Sequence, residues 1–162
     1  MTVKIIVRST RDKEIAMATV GAINISLEHP MFVEVGEHTS TRSQKQNKLA
    51  FKWYKERAEF IGNSVEEERA FCKLTYGVPI MRSEDESFRA SYDKAIQPFP
   101  YAQRLEIIKD LDIPVTRSMN TKQFANYLEN IDRDTIMNLG LALSRPDDLY
   151  WEAMGIKRRA NV

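Results

Sequence analysis

The 162-residue sequence predicts an α+β fold, a mostly helical single domain over residues 1–155 with a small N-terminal sheet. Residues 3–8 and 31–35 are β-branched or alternate apolar with polar side chains, which is typical of strands. Most of the remaining chain repeats apolar residues at three- and four-residue steps, the spacing of helices with one buried face. The sheet is expected from a strand-helix-strand unit, and residues 156–162 form a basic tail.

The helix between the two strands is predicted from its caps and its periodicity. Thr10 and Asp12 offer N-terminal caps, and His29-Pro30 ends the segment. The expected buried face continues to the end of this segment. It comprises Ile15, Ala18 or Thr19, Ala22, Ile23 and Leu27.

Capping signals place the start of three further helices. Ser43 with Gln46 and Ser64 with Glu67 have the capping-box form, and Asn120 with Gln123 is similar. The first of these helices is expected to run to residue 61, where Gly62 ends it. The second is expected to break at residues 77–79, the third to be long.

The other segments follow from proline positions and apolar spacing. Residues 82–86 are polar and predict an exposed loop, and Pro114 predicts an extended stretch over 113–119. Further helices are expected over residues 88–96, 101–109 and 146–154, with Gly155 just beyond the last one.

Composition narrows the class of protein and its compartment. Cys72 is the only cysteine, so no intrachain disulfide forms and a reducing, cytoplasmic location is expected. No run approaches the ~18 apolar residues of a membrane span. The net charge is +1, so the molecule as a whole has no field that attracts nucleic acid, and the distribution of charge decides the prediction.

Basic residues concentrate in the helix predicted over residues 43–61. At 100° per residue, five cations fall within about 140° of arc, opposite an apolar face. The cations are Arg42, Lys45, Lys48, Lys52 and Lys55. The apolar face comprises Ala50, Phe51, Trp53, Tyr54, Ala58 and Ile61.

Such a row is suited to phosphate contact, because each cation releases condensed counterions from a nucleic acid. A merely solvated face is the alternative, but such a face usually interleaves acids, and only Glu56 stands among these cations up to residue 58. Trp53 and Tyr54 could stack bases, although their spacing favours core packing. Ser43 and Gln46 fit helix capping as well as ligand contact. The predicted DNA-binding set is Arg42, Ser43, Gln44, Lys45, Gln46, Asn47, Lys48, Lys52 and Lys55.

Two motifs resemble the NinB (Orf) recombination proteins of lambdoid phages. The first is Arg42-Ser43-x-x-Gln46-Asn47 followed by a basic residue, placed after the strand-helix-strand unit. The second is the segment over 115–120, which leads into an amphipathic helix. The resemblance spans residues 3–131 and implies a non-enzymatic homodimer that binds single-stranded DNA during phage recombination. It also implies work with single-strand-binding protein and a strand-exchange protein, in the host cytoplasm if the chain is phage-encoded.

The alternative function is a metal-dependent nuclease acting on single-stranded or recombination-intermediate DNA. Acidic runs over residues 66–68 and 84–86 could supply carboxylates to Mg²⁺, but adjacent acids on a helix point in different directions. His29, His38 and Cys72 match no metal or nucleophile spacing. No glycine-rich phosphate loop occurs. The sequence therefore predicts no catalytic residues, no metal and no cofactor.

Overall fold

The structure, a computed structural model, describes residues 3, 5–36 and 43–156. Of these residues 63% are helical, and none belongs to a strand, so the predicted small sheet is wrong. A strand needs a neighbouring strand to pair its backbone groups, and no ladder joins the two predicted strand segments here. Most of their apolar side chains are exposed, Val7, Val33 and Val35 among them. The alternation in the sequence therefore marks no buried face within the described part of the chain.

The chain divides into two compact units, Met1–Thr39 and Ser40–Val162. The prediction of one domain over residues 1–155 stays a prediction. The first unit contains α1, Thr10–Gly21, capped by Ser9, whose Oγ accepts from the Asp12 N–H at 3.1 Å. The helix ends at Gly21, so the predicted continuation to Leu27 is wrong. No residue of α1 is buried, and Leu27 is fully exposed.

The second unit is built from seven helices and one π-helical turn within its described residues. The helices are α2 (Gln44–Ile61), α3 (Val65–Cys72), α4 (Val78–Glu84), α5 (Glu86–Ala95), α6 (Tyr101–Asp110), α7 (Thr121–Leu139) and α8 (Tyr150–Ala153). The capping boxes predicted at Ser43, Ser64 and Asn120 are confirmed. Gly62 ends α2 in the left-handed conformation, as predicted.

The predicted helix break at residues 77–79 is wrong. A π-helical turn, Lys73–Gly77, joins α3 to α4, with the Val78 N–H donating to the Lys73 carbonyl. Pro79 lies in the first turn of α4, where a missing N–H costs little. The chain therefore remains helical through a sequence that usually ends a helix.

Two other segments also differ from expectation. The loop predicted over residues 82–86 is wrong, because α4 continues to Glu84 and Asp85 caps α5 by accepting from the Phe88 N–H at 2.8 Å. Residues 113–119, predicted as extended, form turns in which the Met119 N–H donates to the Thr116 carbonyl. Burial of Met119 and Val115 in the core accounts for this path.

The core of the second unit lies among α2, α3, α4 and α7. Its largest fully buried side chains include Trp53 of α2 and Phe124 and Tyr127 of α7. The Trp53 Nε1–H donates to the Ser144 carbonyl at 2.7 Å, so an indole in the core also holds the segment after α7. A buried hydrogen bond of 2.7 Å joins the hydroxyls of Tyr54 and Tyr127 and links α2 to α7.

Gly77 tests how tightly the π-helical turn packs. A Cβ there would lie 2.9 Å from Val115 Cγ1, inside a fully buried contact. Overpacking costs about 1–3 kcal/mol, more than the ~0.5–1 kcal/mol that Gly→Ala gains in a helix. We expect Gly77→Ala to lower the free energy of unfolding in urea titrations, and Val115→Ala to recover part of that loss in the double variant. A Gly77→Ala protein more stable than the wild type would contradict this packing.

Candidate nucleic-acid interface

One face of α2 carries four lysines and is turned to solvent. Lys45, Lys48, Lys52 and Lys55 fall within about 80° of arc at 100° per residue, and none of them is buried. The opposite face is buried. It comprises Gln46, Leu49, Ala50, Trp53, Tyr54, Arg57 and Ala58. The preference for core packing of Trp53 and Tyr54 is therefore confirmed, whereas Phe51 and Ile61, expected on the apolar side, are exposed.

The lysines differ in their ion pairs. Lys45 Nζ lies 2.7 Å from a Glu152 carboxylate oxygen, and Lys52 Nζ lies 3.6 Å from one of Glu56. Lys48 and Lys55 have no ion pair within the described residues. Exposed pairs of this kind contribute about 0–1 kcal/mol and are screened by salt. All four ammonium groups therefore remain available to a polyanion.

Two glutamates, Glu56 and Glu59, lie close to the four lysines of α2. Glu56 is held by Ser144, whose N–H and hydroxyl both donate to its carboxylate. Glu59 is exposed and lies one turn beyond Lys55 on the same face. The row of lysines therefore ends at Lys55, and Glu152 and Glu56 pair with two of its members.

The polar residues at the start of α2 serve different purposes. Gln46 is buried; its side-chain oxygen accepts from the Ser43 N–H, and its Nε2 donates to the Thr121 and Ala153 carbonyls at 2.8 and 3.0 Å. Ser43 Oγ accepts in return from the Gln46 N–H. These contacts favour the capping interpretation of the Ser43 and Gln46 pair.

The other predicted contact residues at this end are less constrained. Gln44 is exposed, and Asn47 is half-buried. Arg42 lies outside the described residues, so its predicted role stays a prediction.

Phe51 is the aromatic residue that lies beside the lysines. Its side chain is 48% exposed, and at 100° per residue it is about 40° from Lys55 and about 60° from Lys48. The same helical projection could have identified it, but its apolar character assigned it to the buried side. An exposed ring at the edge of a row of cations has the chemistry of a base-stacking platform.

Arg69 of α3 extends this surface. Its guanidinium carbon lies 5.7 Å from the centre of the Phe51 ring, a cation–π distance. Phe51 and Arg69 are 18 positions apart in the sequence, so only the packing of α3 on α2 brings them together. Sequence periodicity gave no signal for this contact.

The acidic runs have contacts that account for most of their members. Glu67 caps α3, and its hydrogen bonds with the Ser64 N–H and hydroxyl hold the pKa of its carboxyl below the usual range. Glu68 is buried against Arg57, and a Glu84 oxygen accepts from Gln123 Nε2 at 2.8 Å. Among the described residues, no three His, Cys, Asp or Glu side chains converge as metal ligands would.

Burial governs the chemistry of Cys72. The thiol is fully buried, and this desolvation raises its pKa to about 12. The group is therefore neutral at physiological pH, which is the opposite of what a nucleophilic cysteine requires.

None of the helices in the described residues has both the length and the apolar composition of a membrane span.

Comparison of the chain with known protein families, with curated proteins and with solved structures finds no match. The likeness to the NinB (Orf) proteins therefore stays a hypothesis carried by the two motifs.

Gln46 separates helix capping from ligand contact. We expect Gln46→Ala to lower the free energy of unfolding by about 1–3 kcal/mol, since buried carbonyls lose their donor. Gln44→Ala, two residues earlier and exposed, is the matched control and should change stability by less than about 0.5 kcal/mol. Urea unfolding followed by circular dichroism measures both. A Gln46→Ala protein of unchanged stability and lower nucleic-acid affinity would assign the residue to ligand contact instead.

Proposed function

We propose that this protein binds single-stranded DNA without cleaving it. The observation that carries the proposal is the surface formed by Lys48, Phe51 and Lys55, where an exposed aromatic ring lies beside two cations without ion pairs in the described structure. Lys45 and Lys52 extend the same face along α2. We refer to these five residues as the α2 surface.

The chemistry of the α2 surface favours a single strand over a duplex. Lysines contact phosphates of either form and contribute through counterion release. A ring such as Phe51, however, stacks only on bases that are unpaired, and stacking contributes about 1–3 kcal/mol per base. The face has few groups that distinguish one base from another, so binding with little sequence preference is proposed.

The biological setting of the proposal rests on the NinB resemblance. On this resemblance we propose that the chain is an accessory, or mediator, protein in phage homologous recombination. On that hypothesis the protein is a homodimer that works beside single-strand-binding protein and a strand-exchange protein. A two-fold arrangement would supply two α2 surfaces to one strand and raise apparent affinity through effective concentration.

Charge reversal on the α2 surface tests the binding proposal. We expect Lys48→Glu/Lys55→Glu to abolish binding of a fluorescent oligothymidylate at low salt, measured by anisotropy. Phe51→Ala should weaken binding by about 1–3 kcal/mol. The wild-type protein should lose affinity with salt at a slope near −0.7 per phosphate neutralised. Light scattering on the free protein measures its oligomeric state, that is, the number of chains in one particle.

Lys94→Glu is the matched control, because Lys94 is an exposed lysine of α5, a helix that packs on α4. The Lys94→Glu variant should bind the oligothymidylate as tightly as the wild type does. Equal loss in the control and the α2 variant would indicate a general charge effect and contradict the proposed site. Tighter binding of duplex DNA or of RNA than of the single strand would replace the proposed substrate.

The nuclease alternative gains no support from a specific contact in the described residues. We expect the labelled strand to remain intact with Mg²⁺ or Mn²⁺, because Glu67, Glu68 and Asp85 are held in capping or buried contacts. Denaturing gels over time measure this. Cleavage that persists through purification and disappears in an Asp85→Asn or Glu67→Gln variant would make the protein a nuclease.

A further inference from the structure

A second cationic site surrounds the carboxylate of Asp112. Lys73 Nζ lies 2.6 Å from this carboxylate, an Arg69 nitrogen lies 3.3 Å away, and an Arg117 nitrogen lies 3.7 Å away. Three cations thus share one carboxylate, and we call these four residues the Asp112 cluster. It adjoins a cleft of about 180 Å³, which Glu66 and Lys109 also line.

The three cations have different structural duties. Lys73 is buried, and its ammonium donates to Asp112 and to the Ile113 carbonyl, so it anchors the segment after α6. Arg117 has a side chain that is 70% exposed, and its distance of 3.7 Å is that of a weak surface pair. Because three cations share the single negative charge of Asp112, the four residues together carry excess positive charge, and Arg69 and Arg117 bring it to the surface.

Arg69 belongs to both surfaces. It lies over the Phe51 ring at 5.7 Å and contacts Asp112 at 3.3 Å. A strand whose base stacks at Phe51 would therefore have the Asp112 cluster within reach of its backbone. Arginine is suited to this position, since its planar guanidinium both stacks on rings and donates two parallel hydrogen bonds to a phosphate.

We propose that the Asp112 cluster is a second phosphate-binding site for the strand held on the α2 surface. Arg69 and Arg117 contact a neighbouring backbone phosphate, and the Asp112 carboxylate competes with that phosphate for the same donors. The inference rests on the proposed function, because it needs a strand bound at Phe51. It adds a direction to the binding path, from α2 across α3 toward the turn that contains Arg117.

Asp112 would weaken the binding of a strand at this site, because its carboxylate competes with the phosphate for Arg69 and Arg117. Asp112 has φ of 44°, a left-handed conformation that Asp and Asn tolerate better than other side chains. The Lys73 ammonium, at 2.6 Å, holds the carboxylate among the cations. Replacing it by the isosteric amide of Asn keeps that conformation and removes the competing charge.

The length dependence of binding tests the second site. Anisotropy titrations would use oligothymidylates from about 4 to 16 nucleotides, the range of single-strand site sizes. For the wild type, affinity should rise until the strand spans both surfaces. We expect Arg117→Glu to weaken binding of the long strands by about threefold or more and to reduce the salt slope by about 0.7. The shortest strands, held by the α2 surface alone, should bind as before.

Arg133→Glu is the matched control, because Arg133 is an exposed arginine of α7 with a comparable pair to Asp134 at 3.6 Å. It should bind strands of every length as the wild type does. Arg117→Lys should recover most of the affinity that Arg117→Glu loses. Asp112→Asn provides a test of opposite sign and should tighten binding of the long strands. Thermal melting followed by circular dichroism confirms that each variant is folded.

The possible outcomes separate the two proposals. If Arg117→Glu and Asp112→Asn both bind every length like the wild type, the second site is wrong, whereas loss of binding in Lys48→Glu/Lys55→Glu would still support the α2 surface. If the wild type binds no strand of any length, both proposals fail. If inorganic phosphate stabilises the wild type but not Arg117→Glu against thermal unfolding, while both proteins bind strands of every length alike, the cluster is a site for free phosphate and not for a strand.

Discussion

The buried ion pair between Arg57 and Glu68 is the contact on which the arrangement of the second unit depends. Arg57 Nε lies 3.0 Å from a Glu68 oxygen, and the two side chains are 4% and 3% exposed. A second Arg57 nitrogen donates to Thr135 Oγ1 at 2.5 Å, and Asn63 donates to the other Glu68 oxygen. The pair thus joins α2, α3 and α7. Loss of one partner would leave an uncompensated buried charge, which typically costs about 3–5 kcal/mol.

That pair also fixes which side of α2 meets solvent. With Arg57 directed into the core, Lys48, Lys52 and Lys55 on the other side of the helix remain exposed. Arg69 follows Glu68 directly in α3. The ion pair that fixes Glu68 in the core therefore also positions Arg69 over the Phe51 ring. Two adjacent residues of α3 therefore link the core to the surface: Glu68 is buried against Arg57, and Arg69 contacts Phe51. The orientation of a buried guanidinium determines the geometry of the proposed interface.

The candidate site was predictable to the extent that one helix carries it. Periodicity and the capping box located α2 and grouped its four lysines, because residues three and four apart share a face in any helix. Composition could not separate Gln46 from Gln44, since burial of Gln46 depends on carbonyls of α7 and α8. It likewise could not find Arg69 or the Asp112 cluster, whose members come from three different parts of the chain.

Local signals in the sequence determined the ends of α2, α3 and α7, because a capping box and a left-handed glycine act within one or two turns. Tertiary structure decided whether residues 77–79 stop a helix, since a π-helical turn continues through Gly77, where the tight packing beside Val115 leaves no room for a Cβ. Tertiary structure also decided that the two segments predicted as strands form no sheet in the described residues. Alternating side chains favour a strand, but a sheet forms only where a second strand is in place to pair with it, and that is a property of the whole fold.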